Sequence, residues 1–313
     1  MGQPLLNDAS HSTTSSSRLP ALLRAMRPRQ WIKNLIVFAG FVFTLNEHWR
    51  PFTDEMWSAL GRSALAFLLF SLLSSCVYLL NDVLDVEKDR AHPYKRNRPV
   101  ASGALSPRLA DSVAVLLLPV CLVAGVMLSP QFAIVGGGYL VMQFAYIFVL
   151  KEIVLIDIFV IAIGFVMRAV SGAVVIGAEI SPWLYTVTLL GALFLGICKR
   201  RNELVLLDAA AGQHRKILQM YTPSLLDSLT SIAASSTIMA YSLYTFTSPK
   251  LPHNNLMMLT IPFVIFGIFR YIFLAHSQNA GGSPEEVFLR DKPMIGTILL
   301  WIVSTGLILG WRR

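Results

Sequence analysis

The sequence predicts an all-α integral membrane protein with about nine transmembrane helices in one bundle, and three observations carry that reading. Of 313 residues, 55% are hydrophobic and 14% charged, with a mean hydropathy of +0.60, too apolar for a soluble domain of this length. Apolar runs of about 20 residues, the length that crosses a hydrocarbon core as a helix, recur along almost the whole chain. Backbone polar groups inside a bilayer are satisfied only in helices or closed barrels, and these runs are about twice the length of a barrel strand, so the class is helical.

Taken in order, residues 1–20 read as a disordered cytoplasmic tail, because Ser or Thr fills nearly every place from Ser10 to Ser17 and no signal-peptide pattern is present. Residues 21–313 then form a single transmembrane domain. Its expected spans are Trp31 to Leu45, Ala59 to Leu80, Ala110 to Leu128, Phe132 to Leu150, Ile153 to Ile176, Trp183 to Cys198, Ser228 to Thr247, Leu256 to Ala275 and Met294 to Leu309. Turn-forming pairs such as Ser129-Pro130, Ser181-Pro182 and Ser248-Pro249 separate several of them.

Charge sets the orientation. The formal net charge of +8 comes from 26 Lys+Arg against 18 Asp+Glu, and it is spread by loop rather than gathered in a domain, which excludes a nucleic-acid footprint. With nine spans and the N-terminus inside, the inner segments collect Arg24 to Lys33, Lys88 to Arg108, Lys151, Lys199 to Lys216, and Arg290 with Lys292, while outer loops hold little beyond Arg50, Arg62 and Lys250. That is the positive-inside asymmetry, with Arg312-Arg313 as a small exception. Cys76, Cys121 and Cys198 lie in apolar runs without metal-ligand spacing, so they read as packing residues.

Chemistry concentrates where the second span ends, at Asn81-Asp82-Val83-Leu84-Asp85-Val86-Glu87-Lys88-Asp89. If the helix continues, Tyr78, Asp82, Asp85 and Asp89 recur at offsets of four, three and four and share one stripe. Acids so placed repel unless a cation sits among them. Hard oxygen donors suit Mg2+ that also grips phosphate, so the stripe reads as a metal-diphosphate site, against the plainer reading of a solvated helix end. Lys95, Arg96 and Arg98 follow and suit the opposite oxygens of a leaving diphosphate, or else simply pair with the acids. Two more inner segments offer walls. Lys33 and Asn34, one turn inside the first span, reach a phosphate or belong to a lipid-headgroup patch. Lys199 to Leu204 either serves a ligand or holds a Lys199-Glu203 helix pair. Within the fifth span, Asp157, Gly164, Arg168 and Ser171 share a face, and Arg168 is either a helix anchor or an anion contact.

Asn81, Asp82, Asp85 and Asp89 resemble the NDxxDxxxD motif of the UbiA superfamily of intramembrane prenyltransferases. The stretches from Arg27 to Asn34, Lys95 to Gly103 and Lys199 to Leu204, with the late Pro284-Glu285-Glu286 and Asp291-Lys292-Pro293, resemble its decaprenyl-phosphate phosphoribosyltransferase branch. The resemblance implies a UbiA-like bundle and transfer of a 5-phosphoribosyl group from phosphoribosyl diphosphate to a polyprenyl, decaprenyl-like phosphate. It implies Mg2+ on Asp82, Asp85 and Asp89, and substrate binding by Lys33, Asn34, Tyr78, Asn81, Lys95, Arg98, Lys199, Arg200 and Glu203. The aromatic prenyltransferases of the superfamily carry a second Asp-rich motif after the sixth span, where this chain has only Glu203 and Asp208 among Lys199, Arg200 and Arg201. The alternative is therefore a conventional prenyl transfer to an aromatic or glycerol-lipid acceptor. The expected setting is the bacterial plasma membrane with the site on the cytoplasmic face, and a homo-oligomer is left open.

Overall fold

The computed structural model describes residues 18–91, 95–208, 216–252, 254–277 and 284–310. Residues 1–17 of the expected tail, His92 to Tyr94 of the basic loop and the terminal arginine pair lie outside them. Among the described residues every element is helical, apart from one isolated bridge between Leu45 and Trp49.

The chain opens with α1 (Arg18–Ala25), which begins inside the expected tail, then a 3-10 helix (Pro28–Phe38) and α2 (Ala39–Phe43). The long α3 (Asp54–Leu84) leads to α4 (Val86–Ala91), followed by α5 (Pro107–Leu128), α6 (Pro130–Phe148), α7 (Ile156–Val175), α8 (Pro182–Asp208), α9 (Pro223–Thr247), α10 (Ile261–Ser277), α11 (Pro284–Arg290) and α12 (Lys292–Gly310). Serine or threonine followed by proline starts five of them, α5, α6, α8, α9 and α11. Ser106, Ser129 and Thr222 accept the third amide of α5, α6 and α9, and the next residue is a proline whose missing N–H costs nothing there.

Seven helical segments are long and apolar enough to cross a membrane. The other two expected spans are built differently. The first is mostly 3-10 helix: 11 residues at about 2.0 Å rise, then five α residues at about 1.5 Å, cover about 30 Å, the thickness of a hydrocarbon core. It presses backbone to backbone on α7, where a Cβ on Gly172 would stand 1.7 Å from the Val37 carbonyl oxygen. The second is α9, 25 residues rich in Ser and Thr whose hydroxyls bond carbonyls one turn back, as Thr230 does to Leu226 at 2.7 Å and Thr237 to Ala233 at 2.7 Å.

The centre of the bundle is α3 and α7. In each, 61% of the most apolar stretch is buried inside the protein, against 17–28% for the five other candidate spans, whose outer faces carry Leu116, Met127 and Val141 toward lipid. One apolar core joins α3, α5, α6 and α7, and another joins α7 to α8 through α12. All three cysteines are buried and free.

Arg168 ties α7 to α3, α6 and the 3-10 helix. Its Nε donates to Asn34 Oδ1 at 2.6 Å, one terminal nitrogen to the Gly164 carbonyl at 2.7 Å, and the other to Tyr139 Oη at 3.0 Å, with the Phe70, Tyr139 and Phe165 rings around it. Of the two roles the sequence allows for Arg168, the structure takes the helix anchor.

Candidate active site

At the end of α3 the α-helical ladder carries through the element boundary: Asp85 N donates to Asn81 O at 2.9 Å and Asp89 N to Asp85 O at 2.8 Å. The expected stripe therefore persists, with a local kink where Asp85 takes φ −95° and ψ 11°. Asp82 and Asp89 are buried and turn toward each other, because Arg98 spans them from one nitrogen, 3.1 Å to Asp82 Oδ1 and 2.6 Å to Asp89 Oδ2. Arg98 is held in turn by its loop, where Val100 and Leu105 bury themselves against α3 and α5. Asp85 faces Lys151 at 3.7 Å and Lys88 at 4.0 Å. Acids and bases thus pair with each other here, and among the described residues no three acids, histidines or cysteines already converge as a metal cage.

A second cation completes the cluster. Arg27, between α1 and the 3-10 helix, has a left-handed backbone (φ 55°, ψ 57°), a conformation that costs a non-glycine residue about 1–3 kcal/mol. Its guanidinium donates to Asp82 Oδ1 at 2.5 Å and lies 4.9 Å from the centre of the Tyr78 ring. Both arginines fall on Oδ1, and the buried Oδ2 of Asp82 has no hydrogen-bond partner. Half-buried Lys95 sits at the start of the turn that carries Arg98, whose amide bonds the Lys95 carbonyl at 2.9 Å.

The third wall forms a separate clamp. Asp157, fully buried in the first turn of α7, accepts Arg200 Nε at 2.6 Å and Tyr221 Oη at 2.8 Å. Arg200 also donates to Glu203 and, at 3.2 Å, to Tyr146 Oη. Tyr221 accepts the amide of Leu155 at 2.7 Å, at a residue with φ 68°, so the tyrosine braces a strained entry to α7. Burial, reinforced by the Asp157 carboxylate, pushes the Tyr221 phenol up to about 12. Arg200, expected to bind substrate, is 2% exposed and committed to this clamp. Half-buried Lys199 and Lys33 stand close enough to repel each other, with Glu203 and Tyr146 also in electrostatic reach of Lys199.

The fold therefore brings together Tyr78, Asn81, Asp82, Asp85, Asp89, Lys95 and Arg98 on one side, and Lys33, Lys199, Arg200 and Glu203 on the other. It draws Asn34 away: that residue is buried between Arg168 and Ser71, to which its amide donates at 2.9 Å. Arg27, Lys151, Asp157, Tyr146 and Tyr221 were not among the site residues expected from sequence. For Arg27 and Lys151 the available signal was charge, since buried acids at one bundle end need inner-loop cations as partners.

Comparison with known proteins agrees with this architecture. Residues 34–289 match the UbiA prenyltransferase family. The chain is 36% identical over 285 residues to a decaprenyl-phosphate phosphoribosyltransferase of Mycobacterium tuberculosis, covering 91% of this chain and 93% of that one. It is 34% identical over 293 residues to the protein of the same name from Corynebacterium glutamicum, covering 90% and 84%. A solved structure of a UbiA homolog from Archaeoglobus fulgidus, bound to GPP and Mg2+, superposes with a TM-score of 0.69 over 92% of this chain and 99% of that one, at 18% identity, which shows a common fold. Helical class, the acid motif at the end of α3 and similarity over 91% of the chain converge, and the chain belongs to the UbiA prenyltransferase family.

Proposed function

We propose that this integral membrane protein transfers a 5-phosphoribosyl group from phosphoribosyl diphosphate to a polyprenyl phosphate, releasing diphosphate. The observation that carries the reading is similarity along nearly the whole chain to enzymes named decaprenyl-phosphate phosphoribosyltransferase. The positive-inside distribution of Lys and Arg favours a reaction on the cytoplasmic face of a bacterial plasma membrane.

The donor set fits Mg2+. Asp82 keeps a buried carboxylate oxygen without a partner, and among the described residues Asp85 pairs with lysines at 3.7 and 4.0 Å, so Asp82, Asp85 and Asp89 would hold the ion. When bound, Mg2+ supplies positive charge for the departing diphosphate. The side chains do the rest by position and charge. Arg98 and Lys95 bind donor oxygens from the loop, Lys33 and Lys199 receive phosphate from the opposite wall, and Tyr78 supports Arg27 from one turn above Asp82. A bond forms from a lipid phosphate oxygen to the ribose C1 as the bond from C1 to diphosphate breaks, and diphosphate leaves with the electron pair. That nucleophile is already anionic, so the site needs no strong general base.

Conventional prenyl transfer is disfavoured by the second acid pair. Asp157 and Glu203 do stand near each other, but Arg200 bonds both from a buried position, so a guanidinium occupies the place where a second metal cluster would sit. The deciding assay gives purified full-length protein in detergent labelled phosphoribosyl diphosphate, polyprenyl phosphate and Mg2+, in parallel with an isoprenyl diphosphate and aromatic or glycerol-lipid acceptors. Product in the first mixture is expected, and product in the second alone overturns the reading.

A further inference from the structure

We infer that Arg27 is an exchangeable plug: it covers Asp82 in the free enzyme and moves to the donor's diphosphate when Asp82 becomes a metal ligand. The inference rests on the Mg2+-diphosphate reading above and adds a residue, a partner exchange and a thermodynamic consequence to it. Three features of the cluster carry it. Arg27 and Arg98 crowd one oxygen of Asp82, at 2.5 and 3.1 Å, and leave the other buried oxygen bare. A carboxylate built for a permanent arginine partner presents both oxygens to the guanidinium fork, whereas this one keeps an acceptor in reserve. Arg27 is also placed to leave. Its side chain is 26% exposed over an acid that is 2% exposed, while Arg200 in the neighbouring clamp is itself sealed at 2%. Finally, the Tyr78 face, 4.9 Å from the guanidinium, keeps the cation beside the site when its bond to Asp82 is given up.

Charge then dictates how binding is coupled. A divalent ion approaching alone reaches the reserved oxygen of Asp82 against two guanidiniums already on the other one, and displaces Arg27 with no anion to receive it. When the ion arrives with a diphosphate, the displaced guanidinium gains anionic oxygens of its own, so signs alternate across the site and nothing is left unpaired. Arg27 therefore weakens uptake of the metal alone and strengthens uptake of the donor with metal. An arginine that merely braced the fold would change both in the same direction.

The test is calorimetric titration of the full-length protein in detergent, first with MgCl2 alone and then with phosphoribosyl diphosphate at saturating Mg2+. Arg27→Gly and Arg27→Asn are the informative variants, because both residues accept a left-handed backbone and so keep the turn. Mg2+ alone is expected to bind about tenfold tighter in both variants and the donor about tenfold weaker, the size of one charge-assisted hydrogen bond lost or relieved. Arg29→Gln, an exposed neighbour carrying the same change in net charge, is expected to alter neither. Mg2+ affinity that is unchanged or weakened in both Arg27 variants overturns the plug. Wild-type protein that takes up Mg2+ but no phosphoribosyl diphosphate counts against the assigned donor instead, and the metal titration still decides the plug.

Discussion

Arg200 donates from Nε to Asp157 Oδ2 at 2.6 Å, and through this bond α8 is fastened to the first turn of α7. The arrangement has a counterpart at the end of α3, where Arg98 joins Asp82 to Asp89 as Arg200 joins Asp157 to Glu203. The two clamps differ in exposure, 27% for Arg98 against 2% for Arg200. An exposed clamp can exchange its partners for a ligand at little desolvation cost, whereas a sealed one holds the fold.

Asp157→Ala leaves the buried Arg200 Nε and Tyr221 hydroxyl without their acceptor, while Glu203 still pairs the guanidinium. It is expected to cost about 1–3 kcal/mol of stability, the cost of a buried donor left unsatisfied. Adding Arg200→Leu should recover part of that loss, because one of the unsatisfied donors goes with it. Denaturation in detergent measures both, and a single variant as stable as the parent assigns the clamp no structural weight.

Asn34→Ala removes the acceptor of Arg168 Nε inside the bundle. A loss of about 1–3 kcal/mol is expected, the cost of an unsatisfied buried donor. Donor affinity, compared at equal folded fraction, should not change. A tenfold weaker affinity would return Asn34 to the substrate site.

Asp82→Asn and Asp85→Asn should each lower turnover by at least about a hundredfold while the protein stays folded. Chelation with EDTA should likewise stop turnover and leave the melting temperature nearly unchanged, because Arg27 and Arg98 already neutralise the acids of the metal-free protein. Collapse of the fold on chelation would show that the metal is structural.

Arg270 donates to Asp291 through two bonds, 3.2 and 2.8 Å, at the junction of α11 and α12. These bonds hold the Asp291 carboxyl below its ordinary value of 3.8. A depressed carboxyl contributes stability that is complete above the unfolded value and is lost as pH falls through the folded one. Melting temperature measured from pH 6 downward should therefore drop below about pH 4. Asp291→Asn should show a shallower drop over that range, and an identical profile would remove the pair from the acid response.

Much of the site is legible in sequence because it is local. Asp82, Asp85 and Asp89 need only the helical period to be placed together, and the kink at Asp85 leaves that ladder intact. The apolar runs mark the spans in the same way, apart from two departures. The run from Trp31 to Leu45 is drawn into a 3-10 helix against α7 because Gly172 lets the backbones touch, and α9 hides its hydroxyls in its own carbonyls. Partnerships were harder to read. Lys199 and Glu203 share a helix face, yet Glu203 also bonds Arg200, and Asn34 is buried between Arg168 and Ser71.

Hydropathy, the charge of the inner loops and helical spacing are properties of neighbouring residues. The sequence alone therefore determines the membrane class and the acids that form the stripe at the end of α3. Which cation meets which acid depends on helix faces that come together across 55 residues for Arg27 and Asp82, 43 for Arg200 and Asp157, and 134 for Arg168 and Asn34. Only the packed bundle decides those pairings, and with them which arginine is sealed inside the fold and which stays partly exposed, because burial sets what a charge costs to move.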